Sequence, residues 1–257
     1  MQPTIFISHG SPMIALGNSQ VAAFLAQLGN SLPRPTAILS ISAHWTTAQP
    51  AVSLAEHPET IYDFGGFPQA LYEMKYPAPG APELSLRIQE ILSAANIECD
   101  AVPNRGFDHG TWIPLRLMYP DADIPVAQLS VQPNNDANSH YAIGQALQIL
   151  RSEGVLIMAS GTAVHNLYTI RPESETPAWA AKFEQWLTDE VEGGEAANLL
   201  QFAQLPEAKM AHPTPEHFLP FFVALGAAAN ANGQFHGETL HRSWELGSLS
   251  LAAYSFA

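Results

Sequence analysis

The chain is poor in cysteine, in basic residues and in long apolar runs, and each shortage excludes something. Cys99 is the one cysteine, so no internal disulfide can form and the fold suits a reducing compartment. It lies in NIECDAV, read as a short strand with no activating group nearby in sequence, and is assigned a structural role. Lysine and arginine together number 10 against 24 aspartates and glutamates, for a net charge of −14. The lysines, Lys75, Lys182 and Lys209, are scattered rather than clustered. A field of that sign repels phosphate backbones and anionic bilayers, so neither nucleic acid nor membrane is expected as a partner. No apolar run approaches the ~20 residues that span a bilayer. The opening MQPTIFISHG lacks the basic segment and long apolar core of a secretory signal. A cytoplasmic protein is expected.

What is present is an alternation of strand-like and helix-like runs. TIFIS (4–8), TAILSISA (36–43), IPVAQLSV (124–131) and VLIMAS (155–160) are continuous apolar stretches, as buried parallel strands are. Between and after them, SQVAAFLAQLGNSL (19–32), PELSLRIQEILSAAN (82–96), SHYAIGQALQILRSEG (139–154) and PAWAAKFEQWLTDEVEGG (177–194) carry apolar residues at helical spacing. Proline opens the second, and glycine closes the last two. The pattern predicts an α/β fold with a central, mostly parallel or mixed sheet flanked by helices. No linker or repeat divides the chain, so residues 1–257 are read as a single domain. Residues 50–81 differ, being rich in proline, glycine and aromatics, and are a candidate binding loop.

Ten histidines equal the number of lysines and arginines together, and five of them fall where elements end. His9 follows TIFIS, His44 follows AILSISA, and His165 comes just after VLIMAS. Parallel strands bring their C-terminal ends to one edge, where ligands bind in open α/β sheets. Converging imidazoles in such a crevice favour a metal site over isolated core histidines. His217 lies in HPTPEHFLPF, where Thr214 is expected to cap a helix and Pro215 to open it, with Glu216 and His217 in its first turn. His109 lies in GFDHGTW. The other five, His57, His140, His212, His236 and His241, are read as solvated or capping.

The motifs SHGSPM, SAHW, IYDFGGFPQALYEMKYPAPG, GFDHGTWIPLRLMYPDADIPVAQLSV, ASGTAVHNL, HPTPEHFLPF and GSLSLAAYSF occur in this order from one end of the chain to the other. Together they resemble the DOPA 4,5-dioxygenase type of extradiol ring-cleavage dioxygenase, a class III extradiol group related to the protocatechuate 4,5-dioxygenase β subunit. The resemblance implies a non-haem metal at the edge of the sheet. His9 and His44 match its amino-proximal ligands, and His217 matches its carboxy-proximal one. His165 matches either a fourth ligand or the acid/base, and His109 a histidine on the substrate side. Wider class III enzymes carry glutamate as third ligand, whereas this chain has His217 with Glu216 beside it. GTAVH also varies the pattern around His165.

The activity implied is insertion of O₂ into a small aromatic diol, a catechol, with ring cleavage to a muconic semialdehyde-type product. Fe(II) is the expected cofactor, and Zn(II) is expected to compete for the site in purified protein. His165 is the first candidate for proton transfer and His109 the second. Trp45, Phe64, Phe67 and Trp112 are candidates to wall the pocket. Asp63 or Asp108 is expected to orient a histidine. Gly10, Gly65, Gly66 and Gly110 would allow close backbone approach. Arg105 and Arg171 are among the few cations available for a substrate carboxylate. Two other classes remain open at this point: a zinc hydrolase using the same histidines, and a non-catalytic protein that binds a metal or small ligand.

Overall fold

The apolar runs form the centre of a sheet in the structure, a computed structural model that describes residues 1–257 apart from Asn18, Glu173 and Ser174. The strands are β1 (Thr4–Ser8), β2 (Ala37–Thr46), β3 (Ala51–Ser53), β4 (Asp100–Val102), β5 (Val126–Val131), β6 (Val155–Gly161), β7 (Gly237–His241), β8 (Trp244–Glu245), β9 (Leu249–Ser250) and β10 (Ala253–Phe256). The helices are α1 (Gln20–Ser31), α2 (Gln69–Glu73), α3 (Pro82–Ala94), α4 (His109–Met118), α5 (Ala137–Leu147), α6 (Ala178–Gly193), α7 (Ala196–Leu199), α8 (Ala208–Ala211) and α9 (Leu219–Ala228).

Among the described residues, eight strands form the main sheet in the order β4-β3-β5-β2-β6-β1-β10-β7, and β8 pairs with β9 as a separate hairpin. The sheet is mixed. Its inner strands β5, β2, β6 and β1 are parallel. β3 and β10 join them antiparallel on either side. Because the inner strands point one way, their C-terminal ends open on a single edge, which fixes where His9, His44 and His165 must emerge.

Both faces of the sheet are covered. Phe6 points from β1 into a cluster with Phe183 of α6 and Phe221 and Phe222 of α9. Its neighbours Ile5 and Ile7 point the other way, onto Val21 and Leu25 of α1 and Trp112 of α4. Strands buried on both faces have no polar alternation to show, which is why they read as unbroken hydrophobic runs. α9 is buried on every side. Ser19, Asp108 and Asp136 cap α1, α4 and α5 through their side chains, each contributing about 1 kcal/mol.

Three expectations shift. The helix expected from Pro215 begins at Leu219 instead. Thr214 donates its hydroxyl to Glu216 Oε1 at 2.9 Å rather than capping backbone, and residues 215–218 form a turn in which the Phe218 amide bonds the Pro215 carbonyl at 2.9 Å. Residues 50–81 are not wholly irregular, since they contain β3 and α2. α3 ends at Ala94, and Asn96 beyond it adopts φ +60°. Among the described residues, no helix is long and apolar enough to cross a membrane.

Candidate active site

Five imidazoles gather at the C-terminal edge of the parallel strands. His9 extends β1 beside β6, its amide bonding the Gly161 carbonyl at 2.9 Å. His44 projects from the end of β2, and His109 is the first residue of α4. His165 is pinned through its amide to the Ala211 carbonyl, and His217 through its carbonyl to the Thr162 amide, each at 2.9 Å. A Cβ on Gly161 would lie 2.0 Å from that His217 oxygen, so only glycine lets the turn seat there. Ring centroids are 4.9 Å apart for His9 and His44, 3.9 Å for His44 and His109, and 4.9 Å for His44 and His217. His165 stacks on His217 at 3.6 Å, with planes 9° apart.

The protons on these rings follow from their neighbours. Pro114 has no N–H, so the Gly110 carbonyl four residues earlier in α4 lacks its helix partner. The Ser160 hydroxyl takes that place, donating to Gly110 O at 2.5 Å. Ser160 Oγ also lies 3.0 Å from His9 Nδ1. With its single proton committed, the hydroxyl can only accept there, so His9 carries its proton on Nδ1 and a lone pair on Nε2. Asp63 Oδ1 accepts from both the amide and Nδ1 of His109, at 2.9 and 3.0 Å. Asp63 Oδ2 faces His44 Nδ1 at 3.4 Å. Glu216 Oε1 accepts from His217 Nδ1 at 3.0 Å. Burial raises both carboxyls, but the imidazole partners outweigh it and bring each to about 2, so both are ionised acceptors.

His9, His109 and His217 are therefore held by Nδ1 and present Nε2, while His44 turns Nδ1 toward Asp63 Oδ2. Burial, reinforced by the neighbouring imidazoles, holds His9 well below the usual range, His44 at about 2 and His165 at about 3. These three rings are neutral and can donate lone pairs. His9 Nε2 and His44 Nε2 face each other at 3.0 Å, a separation at which the two rings share either a proton or, with both nitrogens unprotonated, one cation. The donor set fits a divalent transition metal, and the Asp63, Glu216 and Ser160 contacts are the kind that orient histidine ligands. Among the described residues, the ligand atoms of His9, His44 and His109 lie within 4.8 Å of one another, and those of His165, Glu216 and His217 form a second such group.

The histidines open onto a cavity of about 330 Å³, at the small end for organic ligands. Its remaining wall comprises Gly10, Ser11, Pro12, Phe67, Thr162, Leu167, Ile170, Leu246 and Leu249.

A cavity of this size beside neutral imidazoles is consistent with what sequence comparison finds. Residues 3–257 match the family described as the catalytic LigB subunit of aromatic ring-opening dioxygenase. The chain belongs to this family. It is an aromatic ring-opening dioxygenase, which decides against the zinc-hydrolase and passive-binding readings of the histidines. A protein of Beta vulgaris called 4,5-DOPA dioxygenase extradiol is 45% identical over 100% of this chain and 97% of its own length. One of the same name from Escherichia coli (strain K12) is 41% identical over 97% of this chain and 92% of its own. The crystal structure of an uncharacterized Escherichia coli K12 protein superposes with a TM-score of 0.86 at 35% identity, each chain covered fully.

Within this ring-opening dioxygenase, the residues singled out from sequence divide. His9, His44, His109, His165 and His217 all line the cavity, as does Phe67. Asp63 reaches His109 and His44 from behind. Phe64 stands edge-on to His109 at 5.7 Å and supports that ring rather than lining the cavity. Trp112 is wholly buried, its indole N–H bonded to the Ile61 carbonyl at 3.1 Å. Trp45, next to His44 on a strand, points to the other face and lies under the Arg105 guanidinium at 5.5 Å. Asp108 caps α4 and binds Arg105 at 2.8 Å, and Arg105 also donates to the His44 carbonyl. Gly110 provides the expected close approach, since a Cβ there would lie 2.4 Å from Ser42 Oγ, whereas Gly65 faces open space. His140 and His212, read as solvated or capping, are buried. His140 bridges the Gln132 amide and the Asp136 carbonyl. His212 bonds the Ala163 carbonyl and stacks on Phe218.

Sequence reasoning missed Ser160 and the aliphatic wall. The proline four residues beyond Gly110 was the one available signal for Ser160. Leu167, Ile170, Leu246 and Leu249 carried none. Cys99 is as expected, its thiol pushed by burial up to about 11 and so unreactive.

Proposed function

We propose that the chain cleaves a catechol ring beside its two hydroxyls, with a metal ion held by His9, His44 and His217. The observation that carries this reading is the approach of His9 Nε2 and His44 Nε2 to 3.0 Å at the edge of the sheet. His217 is preferred as third ligand because it matches the carboxy-proximal ligand of the family the sequence resembles and Glu216 fixes its Nδ1, although the His109 ring lies nearer to His44, at 3.9 Å against 4.9 Å. His109 stands on the opposite side, against Asp63 and Phe64 of the aromatic loop, and is assigned to the substrate. The extradiol names of the relatives support the position of cleavage. We assign the whole chain, 1–257, to one catalytic domain, and the lone cysteine supports a cytoplasmic setting.

Fe(II) bound at these histidines would supply the electron exchange between diol and O₂ that protein side chains cannot. The chain's own residues do the rest. His165, neutral and beside the cluster, takes a proton from the diol and returns it as the ring opens. His109, with Nδ1 held by Asp63, presents Nε2 to a substrate oxygen. Phe67 and the aliphatic wall exclude water. The ring carbon–carbon bond next to the diol breaks, and both atoms of O₂ enter the product, one in a carboxylate and one in an aldehyde.

Protein reconstituted anaerobically with Fe(II) should consume one O₂ per catechol and form a yellow semialdehyde, while Zn(II)-loaded protein should not. Hydrogen peroxide without ring opening, or equal turnover with zinc, would refute the reading.

A further inference from the structure

Beyond its histidines, the cavity is walled mostly by hydrocarbon, from Leu167 and Ile170 on one segment and Leu246 and Leu249 on another. The two segments are tied by the Arg171 amide, which bonds the Leu246 carbonyl at 2.9 Å. Leu246 sits at φ +50° in the turn of the β8–β9 hairpin, where glycine or asparagine is favoured and leucine is strained. The fold thus tolerates backbone strain at a residue whose side chain lines the cavity.

Among the described residues, no lysine or arginine lines this cavity. Arg105 is engaged by Asp108 and the His44 carbonyl. The Arg171 guanidinium donates to the Ile170 carbonyl at 2.7 Å and is not part of the wall. Apart from Arg105, the charges close to the site are carboxylates: Asp63 and Glu216 behind the histidines, and Glu245, whose Oε2 accepts from the Ser11 amide at 3.2 Å. Thr162, one of the two wall hydroxyls, already donates to the Gly161 carbonyl. A carboxylate set against this wall would find no cation there.

We infer that the site, taken as a catechol-cleaving one, selects catechols with an uncharged, apolar ring substituent over those with an acidic or amino-acid side chain. Each methylene that reaches the aliphatic wall should raise kcat/KM about fourfold, and a carboxylate should lower it at least about tenfold.

The test uses Fe(II)-loaded protein with 4-methylcatechol, 4-propylcatechol, dopamine, 3,4-dihydroxyphenylacetate and L-DOPA. O₂ uptake gives kcat and KM, and anaerobic calorimetry gives Kd without turnover. The expected order places 4-propylcatechol first and the two carboxylates last in both readouts. Dopamine, L-DOPA or 3,4-dihydroxyphenylacetate matching 4-propylcatechol overturns the inference. Leu246→Gly, which removes the strain and so should fold, is expected to shrink the advantage of propyl over methyl, and an unchanged advantage counts against it. Arg171→Gln should leave the ratio of L-DOPA to 4-propylcatechol as it was, whereas a selective loss of L-DOPA would reveal a carboxylate subsite and defeat the idea. If no catechol is bound or cleaved, the proposed function itself falls, and the selectivity with it.

Discussion

Pro114 determines which nitrogen of His9 carries the proton, although the two residues lie on different elements and do not touch. The missing proline N–H releases the Gly110 carbonyl, Ser160 donates to it, and Ser160 then accepts from His9 Nδ1. Ser160→Ala should leave the His9 ring unanchored and weaken metal binding by about ten- to hundredfold, as loss of a ligand's orienting partner does. Pro114→Ala restores a competing N–H and should weaken it less. Chelator competition on each purified variant reads both, and unchanged affinity in Ser160→Ala would break the relay.

Metal content separates the histidines. His9→Ala, His44→Ala and His217→Ala should each purify with little bound metal, while His109→Ala should keep nearly a full complement. The reverse result for His109 and His217 would move the third ligand to the α4 side, where the His109 donor atom already lies within 4.8 Å of those of His9 and His44.

His165 is expected to act on protons and not on the ion. His165→Ala should hold Fe(II) with native affinity and still bind catechol, but lose about a hundredfold or more in kcat. Iron loss in step with activity would make it a ligand.

Acid should destabilise the metal-free protein through its buried histidines. Burial lowers His212 to about 3 and lowers His140 as well, so the unfolded chain takes up protons that the folded one refuses. The stability present above about pH 6.5 is therefore lost as pH falls from there toward 3. At pH 5.5 the loss from His212 is about 1 kcal/mol. Urea unfolding at pH 8 and 5.5 checks this: His212→Gln should be less acid-sensitive than the parent by that amount, whatever its stability at pH 8. Equal sensitivity would show that the histidine protonates in place.

The inner strands were legible because nothing interrupts them: TIFIS is β1 to the residue, and VLIMAS falls one short of β6. With those ends known, the convergence of His9, His44 and His165 followed from geometry alone. α4 was not legible. Its sequence HGTWIPLRLM is buried on nearly every side and so lacks amphipathic spacing, and its internal proline reads as a stop. The position of His109 was lost with it, and so was the burial of Trp112. Trp45 was misplaced by adjacency, since a neighbour in a strand faces away from His44. The aliphatic wall depends on a hairpin of two-residue strands, too short to leave a periodic trace, and leucines announce no chemistry.

β10 lies along β1 with Thr4 opposite Phe256, so the strand that delivers His9 is flanked by residues almost the whole chain away. As the polypeptide emerges from the ribosome, β1 can pair with β6 long before β10 exists, and until then its other edge offers unpaired amides around an apolar Ile5–Ile7 core. Contacts of such long sequence separation form late. The nascent protein therefore passes through an interval in which the strand leading to His9 keeps an exposed, adhesive edge. β10 serves as much to shield that edge during synthesis as to widen the finished sheet.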